Sequence, residues 1–199
     1  MADTKDAGNT PNDNNSLHHF MLISMPQMED ENFTRSLVYI CEHSEKGAMG
    51  LVINRANSID FADILPQLNI ADAHAIDVQQ PIFTGGPVQP EHGFVLHTPL
   101  SNKKWKSSIR VAEDLCLTTS VDVIDDIAHA AGPEHSLIAL GYAGWGPGQL
   151  EKEMAENAWL CCPFDADIVF NMAPEERFQA AADLLGIDMN LISTQIGHG

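Results

Sequence analysis

Two runs rich in β-branched and aromatic residues, SLVYICE at 36–42 and GLVIN at 50–54, flank a short polar loop with a glycine at position 47. Such side chains pack best on a pleated, half-buried surface, and a polar glycine-bearing stretch between two of them reads as a β-hairpin. The loop is expected over 43–49. This hairpin is the strongest constraint in the chain, because it commits the N-terminal half to antiparallel sheet. The pattern recurs at PIFTGGPV (81–88) and GFVLHT (93–98), with Gln89-Pro90-Glu91-His92 as the expected turn of a second hairpin. An apolar segment at 18–23 reads as a first strand, broken by Met25-Pro26. Short strands are expected near 108–111, 115–118, 159–162 and 168–170, and a buried strand over 136–142.

Helical signals are fewer and mostly late. A weak amphipathic segment spans 61–68, interrupted by Pro66. Thr119 or Ser120 can cap a helix over 121–128, whose early acidic residues suit the helix dipole and which Gly132-Pro133 ends. Leu150, Met154 and Ala158 recur at i, i+4, i+8 and predict a helix over 149–157. Pro174 is suited to a first helical position, and the helix it opens should run to 185 and stop at Gly186. Strands in hairpins with helices segregated toward the C-terminus argue for an α+β fold, one compact domain of hairpin-built sheets with a few flanking helices.

Residues 1–16 hold no Leu, Ile, Val or aromatic residue. They read as a disordered polar tail with nothing to bury and without the apolar stretch of a secretory signal, and the folded domain is expected over 17–199. No apolar run approaches the length of a membrane span. Four cysteines without C-x-x-C spacing suggest reduced thiols in a cytoplasm. The charge is lopsided: 10 Lys+Arg against 28 Asp+Glu gives −18. Such a chain repels phosphate backbones and anionic lipid, which counts against direct DNA binding and against a membrane partner.

The chain has no P-loop, dinucleotide fingerprint, G-x-S-x-G elbow or H-E-x-x-H motif. The glycine-rich GYAGWGPG (141–148) reads as a strained strand-to-helix turn, or as a place where backbone amides face a ligand. Trp145 within it is packed on the core or offered to a partner. Cys41 and His43 should share a strand face, but two ligands do not make a metal site, so no metal and no cofactor is expected. Lys103-Lys104-Trp105-Lys106 is the one basic cluster and reads as a solvated loop, or as a base-stacking patch. Facing Glu42 with Met49 or Gly50 brings Arg35-Ser36 beside Asn54-Arg55. Two of the four arginines then meet at one hairpin end, where a chain carboxylate or a ligand anion should separate them. Across the second hairpin, Thr84-Gly85-Gly86 should face His97, either a satisfied core histidine or a site residue beside two glycines that let a backbone or ligand approach.

RSLVYICEHSEKGAMGLVINR (35–55), FTGGPVQPEHGFVLH (83–97) and GYAGWGPGQLEKEMAENAWL (141–160) strongly resemble the AlgH/YqgE family of bacterial proteins. The resemblance runs in order over all but the tail. It implies a compact α+β domain with bent, branching sheets, and no established activity. The family name suggests transcriptional regulation of exopolysaccharide synthesis, though no known DNA-binding motif accompanies it. The family pattern falls on Glu42, His43, Gly47, Asn54, Arg55, Gly85, Gly86, Gly93, His97, Gly144, Trp145 and Gly146. Ala56 stands where a proline usually follows the arginine, and His92 where an arginine usually stands, which removes a cation near the turn.

Three readings of function follow. The first is a cytoplasmic binding or regulatory protein that recognises a small anionic ligand or a protein partner. The second is an enzyme using His97 or His43 with Glu42 for acid–base work and Arg35 with Arg55 as an anion clamp. The third is a direct transcriptional regulator, which the charge disfavours. If the arginine end, Glu42 and His97 face separate surfaces, the enzyme reading loses its constellation.

Overall fold

The computed structural model describes residues 17–71 and 80–189. The expected tail at 1–16 lies outside the described residues. β1 (Phe20–Ser24) opens the fold with Met21, Leu22 and Ile23 fully buried. β2 (Leu37–Ser44) and β3 (Gly47–Val52) form the first hairpin in a register that sets Glu42 opposite Met49. Both strands run further than their apolar residues suggest, so only Glu45 and Lys46 are left to turn between Ser44 and Gly47. Gly47 permits this: its φ is +122°, and a Cβ there would lie 2.2 Å from the Trp145 carbonyl oxygen.

A β-bulge falls at Cys41, between the pairs Ile40–Gly50 and Glu42–Met49. The extra residue inverts the alternation of faces beyond it. Cys41 packs in the core with Tyr39, whereas His43 reaches Glu151, beside the Leu150 of a second cluster. The expectation that Cys41 and His43 share a face is overturned for that reason.

β4 (Ala56–Asp60), which has no clear sequence signal, leads into the single-turn α1 (Phe61–Ile64). Asp60 and Asp63 close a reciprocal capping box there, and the helix ends well short of the expected 68. β5 (Pro81–Thr84) and β6 (Val88–His97) follow, but they are not hairpin partners. After β7 (Ser108–Arg110), β8 (Cys116–Thr118) and α2 (Val121–Ala128), the long strand β9 (Ser136–Trp145) inserts between them. It pairs parallel with β5 and antiparallel with β6. The expected turn at 89–92 instead bulges within β6, where the step from Val88 to Gly93 is matched by only Tyr142 to Leu140 on β9. The physical reason is burial. SLIALGY is among the most continuous apolar runs in the chain, and a strand apolar on both faces belongs in a sheet interior.

Downstream, α3 (Gln149–Ala155) and β10 (Trp159–Pro163) precede α4 (Ala166–Phe170) and α5 (Pro174–Asp183). The strand expected at 168–170 is helix. Asp165 caps α4 by accepting from the Asp167 and Ile168 amides at 2.9 and 3.0 Å, and a three-residue apolar run is too short to choose between periods. Pro174 takes the first turn of α5 as expected.

The strands hydrogen-bond in the order β10-β1-β2-β3-β9-β6-β8-β7, with β5 joining at β9 and β4 at β5. β9 makes the sheet branch. Its residues 138–140 serve β5 and 136–142 serve β6, while 143–145 serve β3. Gly141, at φ +72°, sits at the bend. Three apolar clusters result: one under α4 and α5, one under α3 built on Trp145 and Trp159, and one under α1 and α2. The molecule is a mixed α+β fold with bent, branching sheets, as the resemblance implies. No helix among the described residues is long and apolar enough to cross a membrane.

Candidate functional site

Strand register distributes the candidate residues over four places. Glu42 pairs with Met49, and Met49 with Gly144; His43 pairs with Ala48, and Ala48 with Trp145. Glu42, Gly144 and Trp145 thereby line one open hollow of about 420 Å³, together with Ser44, Lys46 and Tyr142. Trp145 is packed rather than offered: it is 6% exposed, and its Nε1–H donates to Glu153 Oε2 at 2.9 Å. Trp159 donates to the same oxygen at 2.8 Å. Trp145 at the end of β9 and Trp159 at the start of β10 are thus clasped by one carboxylate.

His43 lies behind the hollow with a side chain 6% exposed. The Leu17 amide donates to its Nδ1 at 2.9 Å. An amide can only donate, so the ring proton sits on Nε2, 2.9 Å from Glu151 Oε1. Both nitrogens are spent tying Leu17 and α3 to the hairpin tip.

At the other end of the hairpin, the register continues as expected. Leu37 N–H donates to Asn54 Oδ1 at 2.8 Å, and Asn54 Nδ2 donates to the Arg35 carbonyl at 2.9 Å. Ser36 is buried, its amide bonded to Ser24 Oγ. Among the described residues no carboxylate forms an ion pair with Arg35 or Arg55, although Asp30 acts on Arg55 through space. Arg55 donates to the Glu31 carbonyl at 2.9 Å and to the Thr34 carbonyl at 2.5 Å. Arg35 lies over the Phe178 ring at 5.1 Å. A residue the sequence reading passed over completes this end. Arg177, 5% exposed, donates to the Ile53 and Met172 carbonyls and covers Phe83 at 4.7 Å. Burial pushes its guanidinium pKa down to about 10. Arg55 and Arg177 thus direct charged donors at backbone carbonyls, bonds that help hold this end of the hairpin together.

Gly85 and Gly86 do not face His97. They meet Gly141 and Tyr142 of β9, where a Cβ on Gly85 would lie 2.3 Å from the Gly141 oxygen and one on Gly86 2.2 Å from the Tyr142 carbonyl carbon. Of the two uses of such glycines, close approach of another backbone is the one realised.

His97 ends β6 opposite Ser136, while Gly144 is eight residues along β9. At about 3.3 Å per residue the two sites stand on the order of 25 Å apart along that strand. His97 is 1% exposed. Its Nδ1 is 2.8 Å from the Thr98 carbonyl, which only accepts, so the proton is on Nδ1 and Nε2 accepts from the Thr118 hydroxyl at 2.8 Å. Burial lowers its pKa, partly opposed by the Thr98 hydrogen bond. It forms the floor of a cavity of about 220 Å³ whose rim includes Lys103, Lys104 and Arg110. Trp105, edge-on to His97 with ring centroids 4.9 Å apart, is 3% exposed and donates to Asp126. A ring so buried cannot stack a base, so the base-stacking use of Trp105 is not realised in this conformation. The sequence reading marked the lysines but not Arg110, whose approach depends on pairing across three strands. Among the described residues, no group of three His, Cys, Asp or Glu side chains is arranged to hold a metal ion.

Comparison with known proteins bears on the whole chain. A family model described as AlgH-like matches residues 21–190. A UPF0301 protein of Thioalkalivibrio sulfidiphilus is 51% identical over 178 residues, 89% of this chain and 94% of its own length. One from Pseudomonas fluorescens is 52% identical over 182 residues, 91% and 94% of the two chains. The solution structure of the AlgH protein from Pseudomonas aeruginosa superposes with a TM-score of 0.75 at 45% identity, covering 98% of this chain and 100% of that one. A crystal structure of a protein from Corynebacterium diphtheriae, 20% identical, reaches 0.70 over 88% and 90% of the chains and shows likeness of fold alone.

Proposed function

The chain belongs to the AlgH-like family, and from that premise we propose that it is a cytoplasmic binding or regulatory protein, recognising a small anionic ligand or a protein partner, rather than an enzyme. One observation carries this reading: the groups an acid–base mechanism needs are not in one cleft. Glu42 faces the hollow at the Gly144 end of β9, and His97 lies in a separate cavity at the Ser136 end. Arg55 is bound to carbonyls of the chain, and both nitrogens of His43 and of His97 have partners. A general base needs a free lone pair within hydrogen-bond reach of substrate. The regulation suggested by the family name then works through a ligand or a protein contact rather than through DNA, given the charge of −18.

Native mass spectrometry of protein purified without added ligand, compared with denaturing conditions, tests the proposal. A retained small molecule or a defined complex with a host protein supports it. A bare chain that forms no complex and takes up no small anion in a titration removes it.

A further inference from the structure

The cavity floored by His97 gathers cationic side chains from several elements. Three strands align a row of side chains across it: Arg110 on β7 pairs with Cys116 on β8, which pairs with His97 on β6. Residues directly opposite one another in antiparallel strands point to the same face, so all three project into one space. Ser108, two residues from Arg110, points the same way. The loop after β6 folds over that face and brings Pro99, Leu100, Lys103, Lys104 and Trp105 to the rim.

The charge on this cavity is opposite to that of the molecule. Three of the chain's ten Lys and Arg residues line it, and among the described residues no Asp or Glu does. Lys103 is paired with Asp126. Lys104 and Arg110 have no carboxylate partner among the described residues, and Arg110 gives only Nη1, to the Glu113 carbonyl at 2.6 Å. Two uncompensated cations call for a dianion more than for a single carboxylate. The molecule's overall negative charge does not prevent this, because distant charges are screened beyond roughly 8 Å at physiological salt.

We infer that this cavity binds a phosphate dianion, as inorganic phosphate or as the terminal phosphate of a small monoester. Lys104 and Arg110 supply the charge, the Ser108 hydroxyl one further donor, and Pro99 and Leu100 an apolar wall for a few carbon atoms. A phosphomonoester carries about −1.5 to −2 at neutral pH, which matches Lys104 and Arg110, neither of which has a carboxylate partner among the described residues. The cavity is smaller than the roughly 300–1,000 Å³ typical of drug-sized ligands, so the ligand is compact. This inference rests on the proposal that the protein binds a small anion, and names its site and chemical class.

The test is titration of the full chain with inorganic phosphate, glycerol phosphate and acetate at constant ionic strength, followed by calorimetry. Alkylation of Cys116 by iodoacetamide, mapped by peptide mass spectrometry, reports on the cavity itself. Phosphate or its ester should bind saturably and slow Cys116 alkylation several-fold, with acetate far weaker. Lys104→Gln and Arg110→Gln should each weaken binding about tenfold, the worth of one charge-assisted hydrogen bond, and Arg55→Ala should not. Tighter binding of the ester than of free phosphate identifies the organic part as recognised; equal binding identifies phosphate itself. Saturable phosphate binding that ignores both substitutions and leaves Cys116 unprotected overturns the site while sparing the binding proposal. Equal binding of acetate overturns the dianion assignment. A wild-type chain that binds neither phosphate nor the ester, yet retains some other small anion in native mass spectrometry, overturns this inference alone.

Discussion

At the scale of single residues, the polar groups the family pattern shares are largely consumed in holding the fold. His97 shows the consequence for pH. Its pKa lies below the ordinary 6.5 because burial opposes the charged ring. Above 6.5 the folded and unfolded chains both carry the neutral ring, and the burial costs nothing electrostatically. As pH falls below 6.5 the unfolded chain takes up the proton while the folded chain does not, so stability falls until the folded value is reached. Denaturant titrations at pH 7.5 and pH 5.5 should show this loss. His97→Gln should shrink it, leaving a residual slope to which His19, whose pKa burial also lowers, adds and which His129, whose pKa its hydrogen bond to the Asp125 backbone raises, opposes. Arg55 gives a second expectation. It bonds two carbonyls of the 31–34 turn, so Arg55→Ala should lower stability by about 1 kcal/mol. Added phosphate should leave that difference unchanged in thermal melts. A loss of phosphate response in this variant would return the anion clamp to the hairpin end.

At the scale of elements, the point where β5 leaves β9 is held by three glycines rather than by side chains. Gly86 is at φ +151° and Gly141 at φ +72°, and each would drive a Cβ to within 2.2–2.4 Å of the other strand's backbone. Gly86→Ala therefore carries both a left-handed φ and a backbone collision. It should destabilise the protein by about 2–4 kcal/mol, or prevent folding. Gly93 also matches the family pattern, but nothing lies within 4 Å of its Cβ position. Gly93→Ala should stay within about 0.5 kcal/mol of the parent. Chemical denaturation of the pair measures both, and equal effects would mean that β5 and β9 do not approach this closely in solution. The same junction explains why β5 and β6 are not the hairpin partners their local sequence predicts. Local sequence marks 89–92 as a turn, and nothing local says that a strand from 136 onward will take the place between β5 and β6.

For the whole molecule, the net charge of −18 sets what it meets. In a fluorescence anisotropy titration at about 0.15 M salt, double-stranded DNA should show no sub-micromolar, sequence-dependent binding. Such binding would refute the electrostatic argument and revive direct transcriptional regulation. That charge was legible from composition, as were the α+β class, the first hairpin with its Glu42–Met49 register, and the helices at 121–128 and 174 onward, because each depends on residues near one another in sequence. The expected Ser120 cap is not formed, since its hydroxyl is bonded to Lys106 and Asp122 instead. Tertiary structure alone decided the rest. The bulge at Cys41 turned His43 to the other face, the insertion of β9 parted Gly85 and Gly86 from His97, and the pairing of β7, β8 and β6 carried Arg110 to the lysines of the 98–107 loop. Each depends on which distant strand buries a given edge, a contest settled by apolar area and backbone hydrogen bonds summed over the whole sheet, which no local window of sequence contains.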